Sequence, residues 1–123
     1  MFNEKEKSTN KIDSLLGEHC NITGDLTGDG ILKIDGEING NINWNDDIIL
    51  GFSSYCKGNI SCRNAVVNGK VDGNIICENT LTIEGSGNVK GDVTMKNIVI
   101  HEGGSFEGKC TMVTSKNAND LIE

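Results

Sequence analysis

The sequence predicts an all-β, single-domain chain in which about six coils stack into a parallel β-solenoid. Three observations carry that prediction. The pattern apolar-x-Gly-x-apolar occurs six times, at residues 22–26, 38–42, 56–60, 71–75, 89–93 and 106–110. Its glycines, Gly24, Gly40, Gly58, Gly73, Gly91 and Gly108, are 15 to 18 residues apart. A second apolar motif lies between successive copies, as LKI (32–34), IIL (48–50), AVV (65–67), LTI (81–83) and IVI (98–100). A unit of about 17 residues cannot close a core of its own, whereas stacked copies share one.

Within each motif apolar residues stand at even offsets and polar ones at odd offsets, the period of a strand with one buried face. Residues flanking the glycines are polar throughout: Thr23/Asp25, Asn39/Asn41, Lys57/Asn59, Asp72/Asn74, Lys90/Asp92 and Glu107/Lys109. Aligning the copies produces four inward columns. The first reads Ile34, Leu50, Val67, Ile83, Ile100, and the second Ile22, Ile38, Cys56, Val71, Val89, Phe106. The third reads Leu26, Ile42, Ile60, Ile75, Val93, Cys110, and the fourth Gly28, Trp44, Cys62, Cys77, Met95, Met112. The motif glycines are expected to face a narrow interior. Gly36, Gly51, Gly69, Gly85, Gly87, Gly103 and Gly104 fall at a corner where the repeat length varies and tight bends are needed. Three short faces per coil fit this pattern, and six coils at the inter-strand spacing give a rod of roughly 25–30 Å.

Composition narrows the class further. The chain has 123 residues with 16 Gly and no Pro, and only 4% of it is aromatic, so an aliphatic and thin core is expected. A net charge of −7 repels phosphate backbones, so no nucleic-acid partner is expected. No apolar run reaches the roughly 18–20 residues of a membrane span. The opening MFNEKEKSTNK lacks the apolar centre of a secretory signal, and five unpaired-looking cysteines suit a reducing compartment, so a cytoplasmic location is expected.

The paired pattern, above all the stretch ITGDLTGDGILKIDGEINGNI and the terminal GGSFEGKCTM, resembles the bactofilin family of bacterial cytoskeletal proteins over about residues 19–113. The resemblance implies a right-handed parallel β-helix that self-assembles end to end, without nucleotide, into non-polar filaments. It also implies a place at the inner face of the cell membrane and a scaffolding role for cell-shape or wall-modifying partners. Residues 1–18 then read as a disordered N-terminal tail, 19–113 as the β-helix domain and 114–123 as a disordered C-terminal tail. Met1, Phe2, Lys5 and Lys7 match the family's membrane-targeting start. Glu4 and Glu6 are interleaved with them, and residues 1–18 hold three Lys against four acids, so no polybasic patch forms there.

Chemistry for catalysis is sparse, and neither an enzyme nor a cofactor is expected. His19 and His101 stand in no base-catalytic constellation. The cysteines lack the short C-x₂₋₄-C spacing of zinc sites and read as small core hydrophobes. Two rivals remain on a solenoid. An acyltransferase-like enzyme would need a strict six-residue period and a placed histidine, and a monomeric binding module of the ice-binding kind would need a flat outward Thr ladder. The coil length drifts, and the outward positions are mostly Asn, Asp, Lys and Glu. A structural polymer accounts for more, since solenoid ends template further pairing unless capped and no capping helix is evident. Phe106, Cys110 and Met112, on the last coil, are therefore the expected polymerisation residues. Ile49, Val66 and Val99, apolar at outward positions, are the expected lateral contact.

Overall fold

A computed structural model describes residues 12–113, and the expectations for the chain before and after them lie outside the described residues. Eighteen strands of three or four residues follow one another as three per coil. The first coil holds β1 (Ser14–Leu16), β2 (Asn21–Thr23) and β3 (Leu26–Gly28), and the second β4 (Leu32–Ile34), β5 (Glu37–Asn39) and β6 (Ile42–Trp44). The third has β7 (Asp47–Leu50), β8 (Tyr55–Lys57) and β9 (Ile60–Cys62), and the fourth β10 (Asn64–Val67), β11 (Lys70–Asp72) and β12 (Ile75–Cys77). The fifth has β13 (Thr80–Ile83), β14 (Asn88–Lys90) and β15 (Val93–Met95), and the sixth β16 (Asn97–Ile100), β17 (Ser105–Glu107) and β18 (Cys110–Met112). Strands three apart in sequence pair in parallel, making three six-stranded sheets that we call the first, second and third faces.

Register follows the four columns. Ile34 pairs with Leu50, Leu50 with Val67, Val67 with Ile83 and Ile83 with Ile100 on the first face. On the second face the ladder runs Ile22, Ile38, Cys56, Val71, Val89, Phe106. On the third it runs Leu26, Ile42, Ile60, Ile75, Val93, Cys110. The resulting core is aliphatic, with Ile34, Ile38, Ile48, Leu50, Ile75, Leu81 and Ile83 sealed from solvent. Trp44 is the bulky exception. Its ring lies over Gly28, where a Cβ would stand 2.5 Å from the indole, and its Nε1 donates to the Gly30 carbonyl at 2.9 Å.

Two sequence expectations need correction. The solenoid begins before residue 19, because Ser14, Leu15 and Leu16 pair with Leu32, Lys33 and Ile34. Leu16 thereby heads the first column. This strand precedes the first glycine motif instead of lying between two copies, which is why repeat alignment passed over it. The glycine motif, too, is not one strand with an inward glycine. It is the end of a second-face strand, a two-residue corner and the start of a third-face strand. Ile38 and Ile42 both point inward from opposite sides of that bend, which mimics a period of 2.

The motif glycines hold φ between 128° and 154°, a region L side chains rarely adopt. They also stack closely. A Cβ on Gly58 would overlap the carbonyl oxygen of Gly40, and the same overlap recurs from Gly40 on Gly24 to Gly108 on Gly91. Gly58→Ala is therefore expected to lower stability by about 1–3 kcal/mol from backbone strain alone, with more for pushing the coils apart. Gly17→Ala, whose added Cβ meets nothing within 4 Å, is expected to be near neutral. Thermal unfolding followed by circular dichroism compares the two.

Candidate functional site: the open end and the outer faces of the rod

The sixth coil ends the stack, and its inward ring is uncovered among the described residues. Leu81, Ile83, Val89, Val93 and Met95 of the fifth coil are buried to 1% exposure or less. Their register partners one coil on are Ile98, Ile100, Phe106, Cys110 and Met112. Ile98 and Phe106 are only half-buried against the core. Ile100 is 46% and Met112 56% exposed, and Cys110 is exposed as well. The three expected polymerisation residues thus come from two faces, Phe106 from the second and Cys110 and Met112 from the third, onto one end of the rod. Ile98 and Ile100, from the first face, complete the ring and were not among them. Cys110 was expected to be a buried filler. It holds the right column, with its Sγ 3.8 Å from the Met95 Sδ, but no later coil among the described residues covers it.

One corner carries a ladder that the motif reading did not separate from its neighbours. After each motif glycine, an Asp or Asn side chain accepts the backbone N–H of the matching residue one coil later. Asp25 accepts from Asn41, Asn41 from Asn59, Asn59 from Asn74 and Asn74 from Asp92, at 3.0–3.1 Å. Asp92 accepts the last, from Lys109, at 3.3 Å. Lys109 has no acceptor in its side chain, so the ladder stops at the open end. The signal was visible as Asp or Asn at five of six post-glycine positions.

The outer faces differ in character. On the first face the outward row runs Leu15, Lys33, Ile49, Val66, Thr82, Val99 in register. The expected lateral residues Ile49, Val66 and Val99 do share that row, and Val99 is 42% exposed. Ile12 and Ile31 border the same shallow groove as Ile49 and Val66. The third face presents mostly uncharged polar groups, Thr27, Asn43, Ser61, Thr94 and Thr111, with Ile76 among them. Met1, Phe2, Lys5 and Lys7 lie outside the described residues.

Three cysteines are inside. Burial pushes the Cys56 thiol up to about 11. Cys62 is raised further, first by its hydrogen bond with Cys77, Sγ to Sγ 3.8 Å, and then by burial. His101 sits exposed at a corner with Nε2 3.7 Å from a Glu84 carboxylate oxygen. Among the described residues, no three His, Cys, Asp or Glu side chains gather as a metal site.

A ring of open apolar columns on a stacked parallel solenoid is the setting in which the comparisons with known proteins apply. Residues 14–111 match the family described as Bactofilin, polymer-forming cytoskeletal. The chain belongs to the bactofilin family. Its fold is similar to that of a chain in the bactofilin double helical filaments of Thermus thermophilus, seen by cryo-EM. The TM-score is 0.74 at 18% sequence identity, over 81% of this chain and 99% of that one. No curated protein matches the sequence. The match begins at residue 14, where β1 begins, which agrees with the earlier start of the solenoid. As a bactofilin, the chain is a polymer-forming cytoskeletal protein.

The raised Cys56 thiol has a pH consequence. Its folded value is above the ordinary 9.0, so its contribution to stability is complete below pH 9 and is lost as pH rises through about 11. The urea midpoint is expected to fall between pH 9 and 11, and Cys56→Val is expected to flatten part of that fall. Equal slopes in the two proteins would refute the assignment.

Proposed function

We propose that this bactofilin is the subunit of a non-polar filament that grows end to end without nucleotide, and that it has no catalytic role. The observation that carries the reading is the uncovered ring of Ile98, Ile100, Phe106, Cys110 and Met112. Docking a second rod there removes the rest of the half-buried Phe106 ring from water, a part of the roughly 1.5–3 kcal/mol of a whole side chain, and every junction of that type repeats the gain. The Asp/Asn ladder supports like-to-like ends. A head-to-tail neighbour would bring its Asp25 N–H over Lys109, which has no side-chain acceptor to offer. Two copies of the same end meeting about a two-fold axis face no such mismatch.

Membrane attachment is assigned to Met1, Phe2, Lys5 and Lys7, with the ring entering the interface and the ammonium groups facing anionic headgroups. One such anchor is weak, and the filament multiplies it. The filament then scaffolds cell-shape or wall-modifying partners at the inner face of the membrane. The row Ile49, Val66 and Val99 is proposed as the lateral contact between filaments, because apolar side chains aligned on a flat sheet repeat with every subunit.

Phe106→Arg is expected to stop filament growth and leave a folded monomer or small oligomer, as seen by size exclusion and circular dichroism. Cys110 should react rapidly with a thiol reagent in that variant and be protected in wild-type filaments. Pelleting of the wild type should be unchanged by ATP or GTP with magnesium. Filaments of normal length from Phe106→Arg, or a nucleotide requirement, would refute the end-contact reading.

Deleting residues 1–8 is expected to abolish liposome co-sedimentation while leaving filaments intact under negative stain. Truncated polymers that still float with vesicles would remove the tail as the required anchor.

A further inference from the structure

The outward rows of the second face carry charge in an order that packing of the core does not explain. One row reads Thr23, Asn39, Lys57, Asp72, Lys90 and Glu107 from the first coil to the sixth. Its last four members are exposed and alternate in sign, one charge per coil, at a spacing of about 4.8 Å. Although these four are neighbours in register, none joins an ion pair among the described residues. The pairs there are Lys33 with Asp35, Arg63 with Asp46 and His101 with Glu84. The other row reads Asn21, Glu37, Tyr55, Lys70, Asn88 and Ser105. The Lys57 and Lys70 ammonium groups stand 5.5 and 5.7 Å from the Tyr55 ring centroid, a cation–π contact that keeps Lys57 on the face. At the margin of the face Phe52, in the bend between β7 and β8 and 77% exposed, borders a groove with Lys70 and Asn88.

We propose that the second face is a lateral interface for a second copy of this chain, held antiparallel about a two-fold axis that runs along the strands between β11 and β14. A row that reads positive, negative, positive, negative is its own complement when reversed. Under that rotation each row faces the same row of the other copy with the coil order inverted. Lys57 then meets Glu107 of the second copy, Asp72 meets its Lys90, and symmetry repeats both contacts. No like charges are opposed, because Lys70 meets Asn88, Tyr55 meets Ser105, and Glu37 lies beyond the other copy's sixth coil. Phe52 comes opposite the sixth-coil bend, where Gly103 and Gly104 carry no side chains. Moving the axis by one coil leaves only Lys57 with Asp72, or only Lys90 with Glu107. A parallel copy crosses the rows and matches only Asp72 with Lys70. In a chain of net charge −7, copies repel unless their facing charges are matched, so this order selects the chain itself as occupant. Exposed ion pairs are weak singly. The many copies in the filament proposed above hold the contact, and the inference rests on that reading. It uses a different face from Ile49, Val66 and Val99, and unlike that apolar row it is screened by salt.

The test is zero-length carbodiimide cross-linking of full-length chains, isotope-labelled and unlabelled copies assembled together, read by mass spectrometry and by negative stain of the same samples. The expected product joins Lys57 of one copy to Glu107 of another. Within one rod these residues are three coils apart, about 14 Å at the inter-strand spacing, beyond the reach of such a reagent. Lys57→Glu with Lys90→Glu makes the charged row wholly negative, and Asp72→Lys with Glu107→Lys makes it wholly positive. Each double variant should form filaments yet lose lateral pairs at least fivefold, and mixing the two should restore them. Reversing all four signs together should pair as the wild type does, which separates lost complementarity from lost folding. Wild-type pairs should part as NaCl rises from about 0.1 to about 1 M, where the Debye length falls from about 10 to about 3 Å. Filaments without the Lys57–Glu107 product, undiminished pairing in both double variants, or a product joining Lys70 of one copy to Asp72 of another would each overturn this proposal and leave end-to-end growth standing. The Lys57–Glu107 product from chains that make no filaments upholds the pairing and removes the growth reading. Absence of both product and filaments removes both.

Discussion

The approach of one coil's glycine corner to the next is the constraint on which the rest of the structure depends. At that corner the backbone of Gly58 lies against the carbonyl of Gly40, in the space any side chain would need. Three sheets can keep their hydrogen bonds only if the corners joining them stack at the same spacing as the strands. Glycine meets both demands at once, with its positive φ turning the chain and its missing Cβ letting the next coil close down. From that spacing follow the unbroken columns of Ile, Leu and Val and the Asp/Asn ladder one residue later. The outward rows follow too, and they give each face a chemistry of its own.

Much of this was legible in the residues. The pairings of Ile34, Ile38 and Ile42 with their successors appear in the register as alignment of the copies implies, because a solenoid converts sequence repetition directly into neighbourhood. What was not legible had a shared cause. Ser14–Leu16 stands before the first glycine motif, outside the span that the paired motifs mark out. The glycine bend was taken for strand because a two-residue corner keeps inward residues an even number apart. Exposure at the end came from counting the coils, since the apolar pattern within one coil does not carry it. Cys110 has the column position of a core residue and the exposure of a rim residue, because it stands on the last coil of the described residues. Phe52 stands outside every column, in a bend of variable length, and only three-dimensional proximity puts it beside Lys70.

The rod separates its tasks by direction. Along the axis lie columns left open on the sixth coil among the described residues. Across the axis lie three surfaces: an apolar row on the first face, interleaved lysines and carboxylates on the second, and uncharged polar side chains on the third. Changes on an outward row leave the inward ladder intact, because alternation sends the two sets to opposite sides of each sheet. The outward rows can therefore vary independently of the core within one fold.

The direction of the inter-coil hydrogen bonds has a mechanical corollary. They run along the rod, so in the end-to-end filament proposed above tension pulls on the bonds of all three sheets together and shears none of them. Within a subunit each boundary between coils is also crossed by the covalent chain and, at the glycine corner, by an Asp/Asn rung. A junction between subunits has no covalent link. On that proposal an overloaded filament parts between subunits, and the broken ends are intact rods whose apolar rings are ready to rejoin.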